Sequence, residues 1–163
     1  MKKYNVAVVG ATGMVGQEML KVLEERKFPV NKILPLASSR TAGTRVEFNG
    51  QEVLVQELKE DSFKDIQIAL FSAGAAVSEK FAPIAAAAGA VVVDNTSFFR
   101  MDPQVPLVVP EINAKEINNR PKGIIANPNC STAQMVVALK PIYDTVGIKR
   151  LVISTYQAVS GTG

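Results

Sequence analysis

Asn5-Val-Ala-Val-Val9-Gly10-Ala-Thr-Gly13-Met-Val-Gly16 is an apolar run that stops on a glycine and passes through two more glycines into a helical pattern. A short continuous apolar run is what a parallel strand buried on both faces requires. From Met14 to Arg26 the apolar residues Met14, Val15, Met19, Leu20, Val22 and Leu23 recur at helical spacing, with Glu18, Lys21, Glu24 and Glu25 mostly on the other face. Strand, glycine turn and helix in that order form the context in which a glycine pattern reads as a phosphate site. Gly10 permits the tight turn, Gly13 lets the backbone approach a pyrophosphate, and Gly16 lets the helix lie close to the sheet. The helix N-terminus, with Met14 and Val15, supplies free N–H groups beside Thr12. The GxxGxxG spacing departs from the usual GxGxxG, and a glycine-rich turn without a ligand is the alternative reading.

Outward from this unit the pattern repeats. Phe28-Pro29 ends the first helix, and Lys32 to Ala37 reads as a second strand. Arg45 to Phe48 and Gln51 to Gln56 flank Asn49-Gly50, a hairpin signal, and are expected as an insertion on the sheet's edge. Ile68 to Phe71 is a further strand, Val77 to Ala88 a helix and Val91 to Val93 a strand, while Leu107 to Val109 and Ile124 to Ala126 are weaker strand candidates. Ser131 to Thr145 reads as a helix, and Arg150 to Ala158 as the start of another strand. The alternation predicts an α/β fold, a doubly wound parallel (Rossmann-type) sheet with a β-hairpin insertion. Ligands bind such sheets at the carboxyl ends of the strands, so Gly10 to Gly16, Ser38 to Arg40, Ser72-Ala73-Gly74 and Asp94 to Arg100 share one rim.

The second strand ends in Ala37-Ser38-Ser39-Arg40, where an NAD enzyme places a carboxylate for the ribose 2′-hydroxyl. No Asp or Glu stands there. Two hydroxyls and a guanidinium suit a 2′-phosphate, which favours NADP over NAD; a solvated serine-rich loop is the alternative. Cys130, in Asn127-Pro128-Asn129-Cys130-Ser131-Thr132, falls between a strand and a helix. A thiol at a helix N-terminus feels the positive end of the dipole, which lowers its pKa, and neighbouring N–H groups with the Asn129 amide could form an oxyanion hole. An inert core cysteine is the competing reading.

Composition narrows the classes. With 163 residues and 47% hydrophobic content the chain can bury a sizeable core, and 20% charged residues are too few for a disordered chain. One globular domain with a fragment of a second is expected. The single cysteine and absent histidine argue against an internal disulfide and a Cys/His metal site, and no metal is expected. A net charge of +3, with cations scattered along the chain, suits a small anionic ligand better than nucleic acid. Met1-Lys2-Lys3 runs straight into a strand, without a leader or an apolar run long enough for a bilayer, so the expected location is cytoplasmic, with no membrane partner.

Gly10-Ala-Thr-Gly-Met-Val-Gly16, Ser38-Ser-Arg40, Asn95-Thr-Ser-Phe-Phe-Arg100, Asn127-Pro-Asn-Cys-Ser-Thr132 and Gln157-Ala-Val-Ser-Gly161 together resemble aspartate-semialdehyde dehydrogenase across essentially the whole chain. The resemblance implies an NADP-dependent enzyme that reduces L-aspartyl 4-phosphate to L-aspartate 4-semialdehyde through a cysteine thioester. By position Cys130 resembles the nucleophile, Gln157 the amide that orients the intermediate, and Arg100, with Asn95 and Ser97, the site for the transferred phosphate. Ser160 and Gly161 are carried over as cofactor contacts. It also implies residues 1–129 as the NADP-binding domain, residues 130–163 as the start of a catalytic and dimerisation α+β domain, and a homo-oligomer, dimer or tetramer, when full length. The family pairs its cysteine with a histidine that this chain lacks, so the chain is expected to be an amino-terminal portion that binds NADP and is inactive alone. N-acetylglutamyl-phosphate reductase is the nearest rival, although its cysteine usually follows a glycine where Asn129 stands here. A non-catalytic NADPH-binding module is the other.

Overall fold

The opening apolar run forms strand β1 (Tyr4–Val9), and Val6 to Val9 are fully buried, as a strand covered on both faces requires. In the computed structural model, which describes residues 2–159, the chain continues through helix α1 (Met14–Glu25) and strand β2 (Val30–Ala37). A hairpin of β3 (Arg45–Phe48) and β4 (Gln51–Leu54) follows, then the two-residue strand β5 (Gln56–Glu57). Next come β6 (Ile68–Phe71), α2 (Ala75–Ala87), β7 (Val91–Asp94), the short α3 (Pro110–Asn113), β8 (Ile124–Ala126) and α4 (Cys130–Val146). Six strands pair in parallel in the order β5-β2-β1-β6-β7-β8, the expected doubly wound sheet. Winding starts at β1, goes to one edge and then returns past β1 to the other. The switch point therefore falls between β1 and β6, where ligands bind such sheets.

Strand register sorts the core into two layers. Ala7, Ala69, Val92 and Ile124 stand side by side across four strands, and with Val9, Leu36 and Phe71 they meet α2 and Phe63. Phe63 and Phe71 stack with centroids 5.9 Å apart, and burying each ring contributes about 1.5–3 kcal/mol. On α2 the fully buried residues are Ser78, Ala82 and Ala85, small enough for the helix to lie close to the strands. The opposite layer packs Val8 against Leu20 of α1 and against Val46, Phe48 and Val55.

Pro35 lies inside β2 without breaking it. The Leu36 carbonyl accepts from Gly10 N–H on the β1 side, so the missing N–H of Pro35 faces the other edge, where β5 begins only opposite Leu36. Asn49 and Gly50, with φ of +51° and +70°, make the tight hairpin turn that their sequence predicts.

Three expected strands need correction. The run Gln51–Gln56 breaks at Val55, whose N–H and carbonyl bond Thr44 and Gly43, after which β5 leaves the hairpin to pair with β2. Leu107 to Val109 contributes only a single parallel bridge, Leu107 to Ala126, because Pro106 and Pro110 close the run on both sides. Arg150 to Ala158 is extended and exposed, and no strand ladder among the described residues includes it. Alternation of side chains fits a strand, yet a strand exists only where a neighbour takes up its backbone groups. No described helix is long and apolar enough to cross a membrane.

Candidate functional site

The turn after β1 is shaped by glycines that the surrounding backbone leaves no room to replace. Gly10 has φ +88°, in the left-handed region, and a Cβ there would stand 2.7 Å from the Ser72 carbonyl oxygen. A Cβ on Gly16, buried in the first turn of α1, would fall 2.1 Å from the Gly10 carbonyl oxygen. Gly13 differs: its backbone is ordinary extended chain, and a Cβ would meet only the Gly10 oxygen at 3.4 Å. Gly13 and Gly74 are the caps of α1 and α2, and neither helix has a side-chain cap or an acidic residue in its first turn. Two helix N-termini thus present unsatisfied N–H groups and positive dipole ends to one cleft.

That cleft, about 690 Å³, lies over the switch point, with Gly10, Thr12 and Gly13 on its floor and Ser72, Ala73 and Gly74 beside them. Ser38 and Arg40 come from the loop after β2. Arg40 is the only charged residue in the lining, and no described residue gives its guanidinium a hydrogen bond or ion pair. Ser39 is exposed and outside the lining, as are Met14 and Val15, which stand in the first turn of α1. The sequence reading missed Thr41, whose hydroxyl lies 3.4 Å from that of Thr12 and ties the glycine loop to the loop after β2. It also missed the apolar wall of Leu58, Val77 and Phe81. Ser160 and Gly161 lie outside the described residues.

Cys130 is the first residue of α4 and is exposed. Asn129 caps the helix: its side-chain oxygen accepts from Ser131 N–H at 3.0 Å and from the Ser131 hydroxyl at 2.5 Å, with the thiol 3.9 Å away. The backbone N–H can only donate, which fixes that atom as the oxygen. The Ser131 N–H is therefore already taken, and the Asn129 Nδ2 is the amide edge left to meet a ligand. Gln157 is exposed in the extended segment after α4, whose residues 153–156 line a cavity against Ser131, Gln134 and Met135.

Arg100 joins the turn before α4 to the loop after β7. Its Nε donates to the Asn127 carbonyl at 2.9 Å and its Nη2 to the Asn95 carbonyl at 3.0 Å, while Asn127 Nδ2 donates to Asn95 Oδ1 at 2.6 Å. Ser97 is exposed at the start of the same loop's single 3-10 turn, Phe98–Met101. Arg100 is half-buried, so this is no freely solvated side chain.

A model of the semialdehyde dehydrogenase NAD-binding domain matches residues 5–120, most of the chain. The chain belongs to this family. Its sequence is 62% identical over 162 residues to the aspartate-semialdehyde dehydrogenase of Aquifex aeolicus, covering 98% of this chain and 48% of that protein. Among solved structures, aspartate semialdehyde dehydrogenase II from Vibrio cholerae superposes with a TM-score of 0.94 at 57% identity, over 99% of this chain and 49% of the other. The enzyme from Candida albicans, described with NADP, gives 0.74 at 29% identity, over 90% of this chain and 48% of that one. The chain spans about half the length of the curated relatives it matches.

For a member of this family the cleft passes a physical test for a nicotinamide dinucleotide. Gly13 meets no hard limit from the protein, so the room beside it is available to a ligand. Two uncapped helix starts and an Arg40 without a partner among the described residues supply donors and positive charge, with no carboxylate among the described lining residues to repel phosphate. The sequence reading passed over Asp94 except as the start of a rim. An acid that ends a buried apolar strand before Asn-Thr-Ser is a turn signal, and the structure buries it completely.

Proposed function

We propose that this chain binds NADP(H) in the switch-point cleft and contributes the nucleophile to reductive dephosphorylation of L-aspartyl 4-phosphate, giving L-aspartate 4-semialdehyde through a cysteine thioester. The observation that carries the cofactor assignment is Arg40, exposed in the cleft lining with no partner and no acid beside it among the described residues. Ser38 in the lining, and Ser39 exposed just outside it, add hydroxyls for the 2′-phosphate, and Gly10, Thr12, Gly13 and the first N–H groups of α1 hold the pyrophosphate, with Ser72, Ala73 and Gly74 beside them. Bound there, the reduced nicotinamide supplies a hydride. The relative described with NADP supports the same choice.

Cys130 Sγ adds to the acyl carbon, the acyl–phosphate bond breaks, and the products are a thioester on Cys130 and free phosphate. Arg100, Asn95 and Ser97 receive that phosphate, Arg100 already fixed by two backbone carbonyls so that little side-chain freedom is lost on binding. Asn129 Nδ2 and Gln157 orient the carbonyl oxygen. We assign residues 1–129 to cofactor binding and residues 130–163 to the beginning of the catalytic and dimerisation domain, and the whole enzyme to a cytoplasmic dimer or tetramer. Its proton acceptor is not among these 163 residues, which contain no histidine.

Arg40→Ala tests the cofactor assignment. A charge-assisted bond to phosphate is worth about 1.5–3 kcal/mol, so calorimetry should show NADPH binding weakened roughly ten- to a hundredfold and NADH binding changed less than about twofold. Equal losses for both cofactors would remove Arg40 from the 2′-phosphate.

A further inference from the structure

A fully buried carboxylate near the site is one that the proposed chemistry does not use. Asp94 ends β7 fully buried, and its carboxylate meets only neutral donors. Its Oδ1 accepts from Ser78 Oγ and from Thr96 N–H, both at 2.9 Å, and its Oδ2 accepts from Thr96 Oγ1 at 3.0 Å. Ser78, also fully buried, lies in the second turn of α2, the helix that begins on the cofactor cleft. The Asp94 main chain acts as well: its carbonyl accepts from Asn127 N–H at 2.8 Å, three residues before Cys130.

We propose that Asp94 is a positioning residue that holds the loop of Asn95 and Arg100, the nucleophile turn and the first turns of α2 in one fixed relation. The proposal rests on the reading of Arg100 as the phosphate-binding residue. A buried carboxylate is costly unless every acceptor is used, so its oxygens require Thr96 to fold back over the end of β7. Thr96 then directs the next residues: its Oγ1 accepts from Phe98 N–H at 3.4 Å, and the 3-10 turn that follows carries Arg100. Arg100 grips the carbonyls of Asn95 and Asn127, the residues on either side of the Asp94 contacts. One side chain therefore sets the loop, and its own main chain sets the turn that the loop must face. A residue that served the core alone would bond the core; two of the three side-chain bonds go to the loop instead.

Thr96→Val keeps the shape, the N–H bond to Asp94 and the Ser78 contact, and removes only the hydroxyl that orders the loop. In the 163-residue chain we expect backbone hydrogen exchange at Phe98, Arg100 and Asn127 to quicken about tenfold, and binding of inorganic phosphate, read by calorimetry, to weaken by about tenfold. NADP binding should change less than about twofold, because the α2 anchor is intact, and Thr96→Ser should restore both altered readings. Asp94→Ala, where it folds, should exceed Thr96→Val in both. Unchanged exchange in Thr96→Val and Asp94→Ala overturns the proposal, as does an equal loss of NADP and phosphate binding in Thr96→Val. Arg100→Ala separates the two ideas. If it leaves phosphate binding at the wild-type value, the phosphate assignment fails, and the exchange result alone then decides for or against positioning by Asp94.

Discussion

Gly16→Ala is expected to remove NADP binding and to cost at least about 3 kcal/mol of stability, the upper end of what overpacking a core does. The added Cβ would stand 2.1 Å from the Gly10 oxygen and 2.8 Å from the Ala11 Cα, and both are backbone atoms. Neither can step aside. Ala11 is fully buried, and Gly10 is held by its N–H bond to the Leu36 carbonyl at 2.8 Å on one side and by the nearby Ser72 carbonyl on the other. The relief left is to lift α1 from the sheet, which unpacks Leu20 and displaces the N–H groups at the edge of the cleft. Gly13→Ala is the control, since its Cβ finds ordinary contact distance within the protein. It should unfold within about 1 kcal/mol of wild type, the ordinary range for a substitution without a clash, while still losing NADP affinity because the methyl occupies the pyrophosphate's approach. Urea unfolding and calorimetry on the two variants check this, and a Gly16→Ala chain as stable as wild type would show that the helix is not pinned against the turn.

The sheet was legible because buried parallel strands leave a plain mark. Val6 to Val9, Ile68 to Phe71 and Val91 to Val93 are apolar without interruption, and each lies in a strand that extends at most two residues beyond those bounds. The glycine loop was legible for the same reason in reverse, since three glycines spaced from the end of a strand into the first turn of a helix have few other uses. What failed depended on partners far away in sequence. Arg150 to Ala158 alternates like a strand but pairs with none among the described residues, and Val55 looks continuous with the hairpin but bonds Gly43 and Thr44. At the site, residue types pointed to Arg40 and Cys130, and only the family resemblance pointed to Arg100. They could not show that Arg100 would be clamped between the carbonyls of Asn95 and Asn127, or that Asn129 would spend its oxygen on Ser131. Asp94 escaped because the sequence shows a carboxylate and not its burial.

The second large effect concerns turnover. The described residues assigned to the cofactor come from the sheet's switch point and the loops around it, and Asn95, Ser97 and Arg100 follow β7 on the same rim. Proton transfer is different, because a positioned acid/base group is worth about 100- to 10,000-fold in rate and the expected histidine is not among these 163 residues. Binding and catalysis should therefore separate, with NADP held by the cleft and no steady formation of NADPH. The measurement that bears most directly on this account mixes the chain with NADP, L-aspartate 4-semialdehyde and phosphate, after calorimetry has shown the cofactor bound, and follows NADPH absorbance. The account predicts at most one equivalent of NADPH per chain and then no further rise. Sustained turnover over many equivalents would contradict it, because these residues would then hold a complete active site with an acid/base group other than histidine.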